Sequence, residues 1–188
     1  MPGEFSRTNA DGLFFAIYPD VNAAAKTAQC ARRLRGELGL EGGALATERF
    51  HVSLHHLGVY DGLPHRIVAE ASEVAATVAA PRFKVGFDRA VSFSGRPGNL
   101  PFVLLGDDGV VGLAMFQQML GAAMQNAGLG RRVDRHYTPH MTLLYDARCV
   151  TEWAFVEAIN WTVCEFALVH SLIGRTRHVP LARWPLRV

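Results

Sequence analysis

The sequence has few cysteines: three in 188 residues, at positions 30, 149 and 164. The number is odd, and no pair has the spacing of a metal knuckle or a redox CxxC. Reduced, mostly buried thiols in a cytoplasmic protein are the expectation. Long hydrophobic runs are missing, since no uninterrupted apolar stretch approaches the roughly 20 residues of a membrane span. The first ten residues lack the basic start and apolar core of a signal peptide and are expected to form a frayed terminus. Charge of one sign is also scarce. Nineteen Lys and Arg against 17 Asp and Glu leave +2 with histidine neutral, too little for wholesale polyanion binding but compatible with a local basic site. With 49% hydrophobic and 19% charged residues, the composition is globular rather than disordered. The length suits one domain over residues 1–188, or two small lobes sharing a core.

What the chain does contain is one short pattern, twice. His51-Val52-Ser53-Leu54 and His140-Met141-Thr142-Leu143 each read His, any residue, a hydroxyl residue, Leu. In a strand, residues i and i+2 share a face. His51 and Ser53 therefore point together, as do His140 and Thr142, while Val52, Leu54, Met141 and Leu143 turn toward a core. Imidazole titrates near pH 6.5, so one ring can act as a neutral base while the other acts as a charged acid. Hydrolysis of a phosphodiester needs both, one on the attacking water and one on the departing oxygen. In-line displacement puts them on opposite sides of phosphorus, hence on different strands. Ser53 and Thr142 are placed to hydrogen-bond the non-bridging oxygens.

The rest of the chain alternates helices with strands. Leu13 to Tyr18 reads as a buried strand, and Val21 to Leu38 as a helix capped by Asp20 and ended by Gly39. The first His strand comes next. Then come a helix from His65 to Ala79, an alternating strand through Phe83, Val85 and Phe87, and a strand from Phe102 to Leu105. Asp107-Asp108 opens a third helix, and a basic loop over residues 131–137 leads into the second His strand. A short helix is expected over Thr151 to Ala158, a long strand from Thr162 to Ile173, and a last strand from Val179 to Trp184. In each half a helix leads into an H-x-[ST]-L strand, a loose internal duplication. The expected class is α+β, with the two His strands facing each other across a cleft.

The two motifs resemble the signature of the two-histidine (2H) phosphoesterases, specifically the LigT-like branch of 2′-5′ RNA ligases and RNA 2′,3′-cyclic phosphodiesterases. The resemblance covers most of the chain. It includes the opening strand and helix, the run Arg49 to Gly58, Pro139 before His140, and the C-terminal block of Trp161, residues 165–169, Ser171 and residues 184–186. It implies a bilobal, pseudo-twofold α+β fold of two mostly antiparallel sheets flanking a central cleft, with helices outside. It implies hydrolysis of 2′,3′-cyclic phosphates on RNA 3′ ends or small nucleotides to 2′-phosphomonoesters. The two-imidazole scheme itself requires no metal, no cofactor is expected, and a monomer is the expected state. It also implies His51 as proton donor and His140 as proton acceptor. An RNA-end-binding module or a 2′-5′ RNA ligase would use the same groove. The chain departs from the family's usual residues at Asp11-Gly12, at Leu144-Tyr145 after the second motif, and at His178, where a Tyr is common.

Further residues are candidates for substrate binding. Arg131 and Arg135 can meet flanking phosphates, and Tyr137 and Phe14 can stack a base. His55 shares the expected face of His51 at the cleft's rim, whereas His56 is expected to point away. His51 and His55 do not suggest a metal site, because an H-x-x-x-H pair meets on a helix and lies roughly 13 Å apart along a strand. Asp146 is expected to serve a turn rather than a metal.

Overall fold

The computed structural model describes residues 10–187. It contains two four-stranded antiparallel sheets. The frayed terminus expected over residues 1–10 lies outside the described residues except for Ala10, which opens the first strand. That strand, β1 (Ala10–Ile17), is followed by α1 (Val21–Leu38). The helix starts where Asp20 accepts a hydrogen bond from the Ala23 amide at 2.8 Å, and stops where Gly39 takes a left-handed φ of 63°, so both ends follow from residues readable in the sequence. A short 3-10 turn at Thr47–Arg49 leads into β2 (Val52–Asp61). Next come α2 (His65–Thr77), β3 (Phe83–Ser92) and β4 (Leu100–Leu105). They are followed by α3 (Val111–Asn126), a 3-10 turn at Gly130–Arg132, and β5 (Met141–Asp146). The chain ends in β6 (Trp153–Val163), β7 (Glu165–Leu172) and β8 (Arg177–Pro185).

The sheet orders are β2-β1-β7-β8 and β5-β4-β3-β6. Each His strand is therefore an edge strand, paired to the strand that precedes its helix. The units β1-α1-turn-β2 and β4-α3-turn-β5 match, which gives the suspected duplication a physical form. The main core is built from the inward rows of the strands, such as Leu13, Phe15, Phe87, Leu104 and Phe166, and from the helix stripes of Ala31, Leu34, Leu113 and Leu120. No helix among the described residues is long and apolar enough to cross a membrane.

The structure differs from expectation in three places. Residues 153–158 form part of β6 rather than a helix. Trp153 and Ala154 pair with Ala90 and Arg89 along the edge of β3, continuing the ladder in which Ile159, Trp161 and Val163 pair with Phe87, Val85 and Phe83. Farther along the same strand, buried Ile159, Trp161 and Val163 alternate with exposed Asn160 and Thr162, the period of two of a half-buried strand. The single strand expected from Thr162 to Ile173 is broken at Cys164, between β6 and β7. Cys30 is buried as expected, but Cys149 and Cys164 are exposed. The last strand keeps Pro180 and Pro185 because β8 is an edge, where a missing N–H costs no ladder bond.

The two sheets are tied together next to the first His strand. The segment after α1 crosses to the second sheet, where Ala44 bridges Leu144 and the Leu45 amide donates to the Leu143 carbonyl at 2.8 Å. Buried Asp146 accepts hydrogen bonds from the amides of Glu41 and Gly42, both at 2.7 Å, and of Arg148 at 2.8 Å. These hold its carboxyl below the usual range, with Gly42 the largest contributor. A Cβ on Gly42 would meet the Tyr145 carbonyl oxygen at 1.9 Å, so only glycine allows this approach. The lead into His51 is thereby fastened to the strand that carries His140, and Asp146 serves the turn it was expected to serve.

Candidate active site

His51 and His140 stand one residue before β2 and β5, and each is anchored in the same way. His51 Nδ1 lies 2.7 Å from the Arg49 carbonyl oxygen, and His140 Nδ1 lies 2.7 Å from the Thr138 carbonyl oxygen. A carbonyl oxygen only accepts, so Nδ1 carries the hydrogen in both rings and Nε2 is left for proton transfer. An aromatic ring supports each histidine, with Phe14 at 5.3 Å from His51 and Phe93 at 5.0 Å from His140, between centroids. Ser53 and Thr142 follow on partly exposed positions flanked by buried Val52, Leu54, Met141 and Leu143. The alternation expected within the two motifs holds.

Burial pushes His51 down to about 4. Its bond to the Arg49 carbonyl opposes this, and the charges of His178, Arg49 and His140 add to it. His51 is thus neutral near pH 7. The influence of His140 on both His51 and His56 places the two motif histidines within electrostatic reach of one another.

Past Ser53 the pattern changes, because β2 is bulged twice. Ala16 pairs with Ser53 but Phe15 with His55, and Phe14 pairs with His56 but Leu13 with Gly58. Leu54 and Leu57 are the extra residues, and an extra residue exchanges the faces of the residues after it. His55 is consequently not at the cleft's rim. It is 1% exposed, accepts at Nδ1 from the Asp134 amide at 3.1 Å and donates from Nε2 to the Gln117 carbonyl at 2.9 Å. Burial lowers its pKa below the usual imidazole value. Gln117 adds a bond from Nε2 to the Asp134 carbonyl at 2.9 Å. This buried network ties β2 and α3 to the loop that delivers His140. His56 is the exposed one, and its ring is 5.5 Å from Phe14 on the side of His51.

The other candidates separate similarly. Phe14 is only 3% exposed. It lies against His51, His56 and His178 at 5.3–5.5 Å, as a floor for imidazoles rather than a platform for a base. Tyr137 packs against the main core with its hydroxyl buried and unpartnered, and burial raises its pKa. Arg131 and Arg135 are exposed on their loop. Between them, Arg132 donates to the Leu57 carbonyl at 2.8 Å and braces β2. No cluster of three or more His, Cys, Asp or Glu side chains placed to hold a metal ion occurs among the described residues.

The sequence reading missed the surroundings of His51. His178, from β8, stands 4.8 Å from the His51 ring, and Tyr18 stands 6.3 Å from it. The substitution at His178 was visible as a departure from the usual residue. Its contact with His51 depends on β8 joining β7 two strands away, which no local pattern encodes.

Comparison with known proteins agrees with this geometry. The family model described as the 2′-5′ RNA ligase superfamily matches residues 19–174. LigT of Escherichia coli in its apo form is similar with a TM-score of 0.72 and 25% identity, over 95% of this chain and 99% of that one. The same protein complexed with 3′-AMP gives a TM-score of 0.67 at 25% identity, over 95% and 98% of the two chains. The protein TT0787 of Thermus thermophilus, at 19% identity, shares the fold with a TM-score of 0.73 over 94% and 98%. No curated protein sequence matches significantly. With both His strands at facing sheet edges and this match across most of its length, the chain belongs to the 2′-5′ RNA ligase superfamily of 2H phosphoesterases.

Proposed function

We propose that this protein hydrolyses 2′,3′-cyclic phosphates on RNA ends or nucleotides to 2′-phosphomonoesters, using two imidazoles and no metal. The observation that supports this most is the matched anchoring of His51 and His140, each with Nδ1 on a carbonyl oxygen and Nε2 free for a proton. Structures of Escherichia coli LigT complexed with 3′-AMP and with NADP+ favour a nucleotide as ligand.

In this scheme His140 takes a proton from water at Nε2 as the water oxygen attacks phosphorus. The bond between phosphorus and the 3′ oxygen breaks, and His51 gives its Nε2 proton to that oxygen. The 2′ ester bond survives, and the pair ends with its proton exchanged from one ring to the other. Ser53 and Thr142 donate to the non-bridging oxygens, where negative charge grows. His51 is neutral near pH 7, so on this assignment the incoming phosphate anion supplies the charge that restores its proton. If the 5′ hydroxyl of a second RNA replaces water, the same pair performs 2′-5′ ligation.

The test is product analysis of an oligoribonucleotide ending in a 2′,3′-cyclic phosphate, incubated with the protein and EDTA, with and without a 5′-hydroxyl acceptor. Formation of a 2′-phosphate in EDTA supports the proposal. Loss of activity with chelator, or binding without product, contradicts it, and a 2′-5′ joined product as the main outcome favours ligation.

A further inference from the structure

A cavity of about 590 Å³ opens beside His178, bordered by Tyr18, Glu48, Phe50, His178, Pro180 and Arg183. That volume is within the ~300–1,000 Å³ typical of small-molecule sites. The catalytic pair does not account for it. His178 joins the two spaces, since it touches the His51 ring at 4.8 Å and also lines the cavity.

The donors around this cavity are under-used. Arg49 belongs to the turn whose Thr47 and Glu48 form the cavity wall. Its Nε is buried without a hydrogen-bond partner. Its charge acts on both His51 and His178, so the guanidinium is beside them. His178 Nδ1 is also buried and unpartnered. Arg183 lies over the Tyr18 ring at 5.5 Å and pairs with Glu165. Two arginines, which stay charged at any working pH, thus share the region with Glu48 and with Glu165. Arg49 as a whole is only half-buried, but a buried N–H is ordinarily paired, and the ligand that pairs its Nε here, beside an unpartnered imidazole nitrogen, is an anion.

We propose that Arg49, His178 and Arg183 form a second phosphate subsite, which holds a phosphate additional to the one undergoing reaction. The preferred ligands are then nucleotides with a 5′-phosphate as well as the cyclic or 2′-phosphate, as at an RNA end, rather than isolated cyclic nucleosides. This rests on the proposed function for the location of the reacting phosphate between His51 and His140.

Two matched pairs test it on the full chain. Calorimetry compares adenosine 2′-phosphate with adenosine 2′,5′-bisphosphate, and kinetics compare adenosine 2′,3′-cyclic phosphate with and without a 5′-phosphate. The bisphosphate is expected to bind about tenfold more tightly or better, the scale of a hydrogen bond to a charged group, with the difference shrinking at high salt. Arg49→Gln and Arg183→Gln each move the ratio toward one, while Arg66→Gln, on the exposed face of α2, leaves it unchanged. Equal affinity for the two adenosine phosphates, or a ratio indifferent to both substitutions, overturns the subsite. Preferential binding of the bisphosphate without turnover of either cyclic compound keeps the subsite and removes the hydrolase. Turnover of both with equal affinity does the reverse.

Discussion

His51 and His178 stand edge to face, with ring centroids 4.8 Å apart and an interplanar angle of 83°, and Phe14 lies against both. The contact closes off one side of the His51 ring. Burial, with the charges of His178, Arg49 and His140, then holds its pKa near 4 against about 6.5 in an unfolded chain.

That difference has a thermodynamic sign. Between about pH 4 and 6.5 the unfolded chain binds a proton at His51 that the native state does not. The native state is therefore favoured increasingly as pH rises through this window, and the contribution is lost as pH falls through it. Denaturant unfolding of wild type and His51→Asn between pH 4.5 and 7 is expected to show a shallower slope for the variant, by up to about 1.4 kcal/mol per pH unit. Equal slopes would mean that His51 titrates normally.

The division of labour between the motif histidines is testable with a leaving group that needs no proton. A substrate with sulfur in place of the 3′ oxygen is expected to restore much of the rate of His51→Ala and little of that of His140→Ala. The opposite pattern would exchange donor and acceptor, which the neutrality of His51 makes a pointed comparison.

Gln117 is 3% exposed, and its side-chain Nε2 donates to the main-chain carbonyls of Asp134 at 2.9 Å and Leu54 at 3.4 Å and lies 3.3 Å from His55 Nδ1. Gln117→Ala is expected to cost about 1–3 kcal/mol through unsatisfied buried partners. It should also lower kcat more than it raises KM, because the loop loosened is the one that delivers His140. A variant with wild-type melting temperature and kcat would show that the network does not position that loop.

Asp146→Ala removes the acceptor for the amides of Glu41, Gly42 and Arg148. Thermal unfolding is expected to fall by several degrees, with a drop in activity since the lead into His51 is released. Asp146→Asn, which keeps one acceptor oxygen, should fall between the two. An unchanged melting temperature for Asp146→Ala would remove the clasp from the account.

Much of this was legible because it was local. Asp20 and Gly39 bound α1 at Val21–Leu38, and the i, i+2 rule places Ser53 and Thr142 between buried neighbours. The misassignments have long-range causes. The segment from Thr151 to Ala158 is expected as a helix, yet β3 presents an unfilled edge, and pairing of Trp153 and Ala154 there prevails. His55 and His56 exchange faces because β2 is bulged at Leu54 and Leu57 to follow β1, and nothing within β2 announces a bulge. His178 and Arg49 reach the groove through β8 and a 3-10 turn, so their proximity to His51 arises only once the sheet is assembled.

The most direct measurement is single-turnover hydrolysis of a 2′,3′-cyclic nucleotide by His51→Ala, His140→Ala and the double variant, with folding checked by circular dichroism. Each single substitution is expected to slow the reaction by about 10²–10⁴-fold. The double variant should be little worse than the slower single, because the two rings act as one acid–base unit. A folded single variant that turns over at close to the wild-type rate would contradict the two-histidine account.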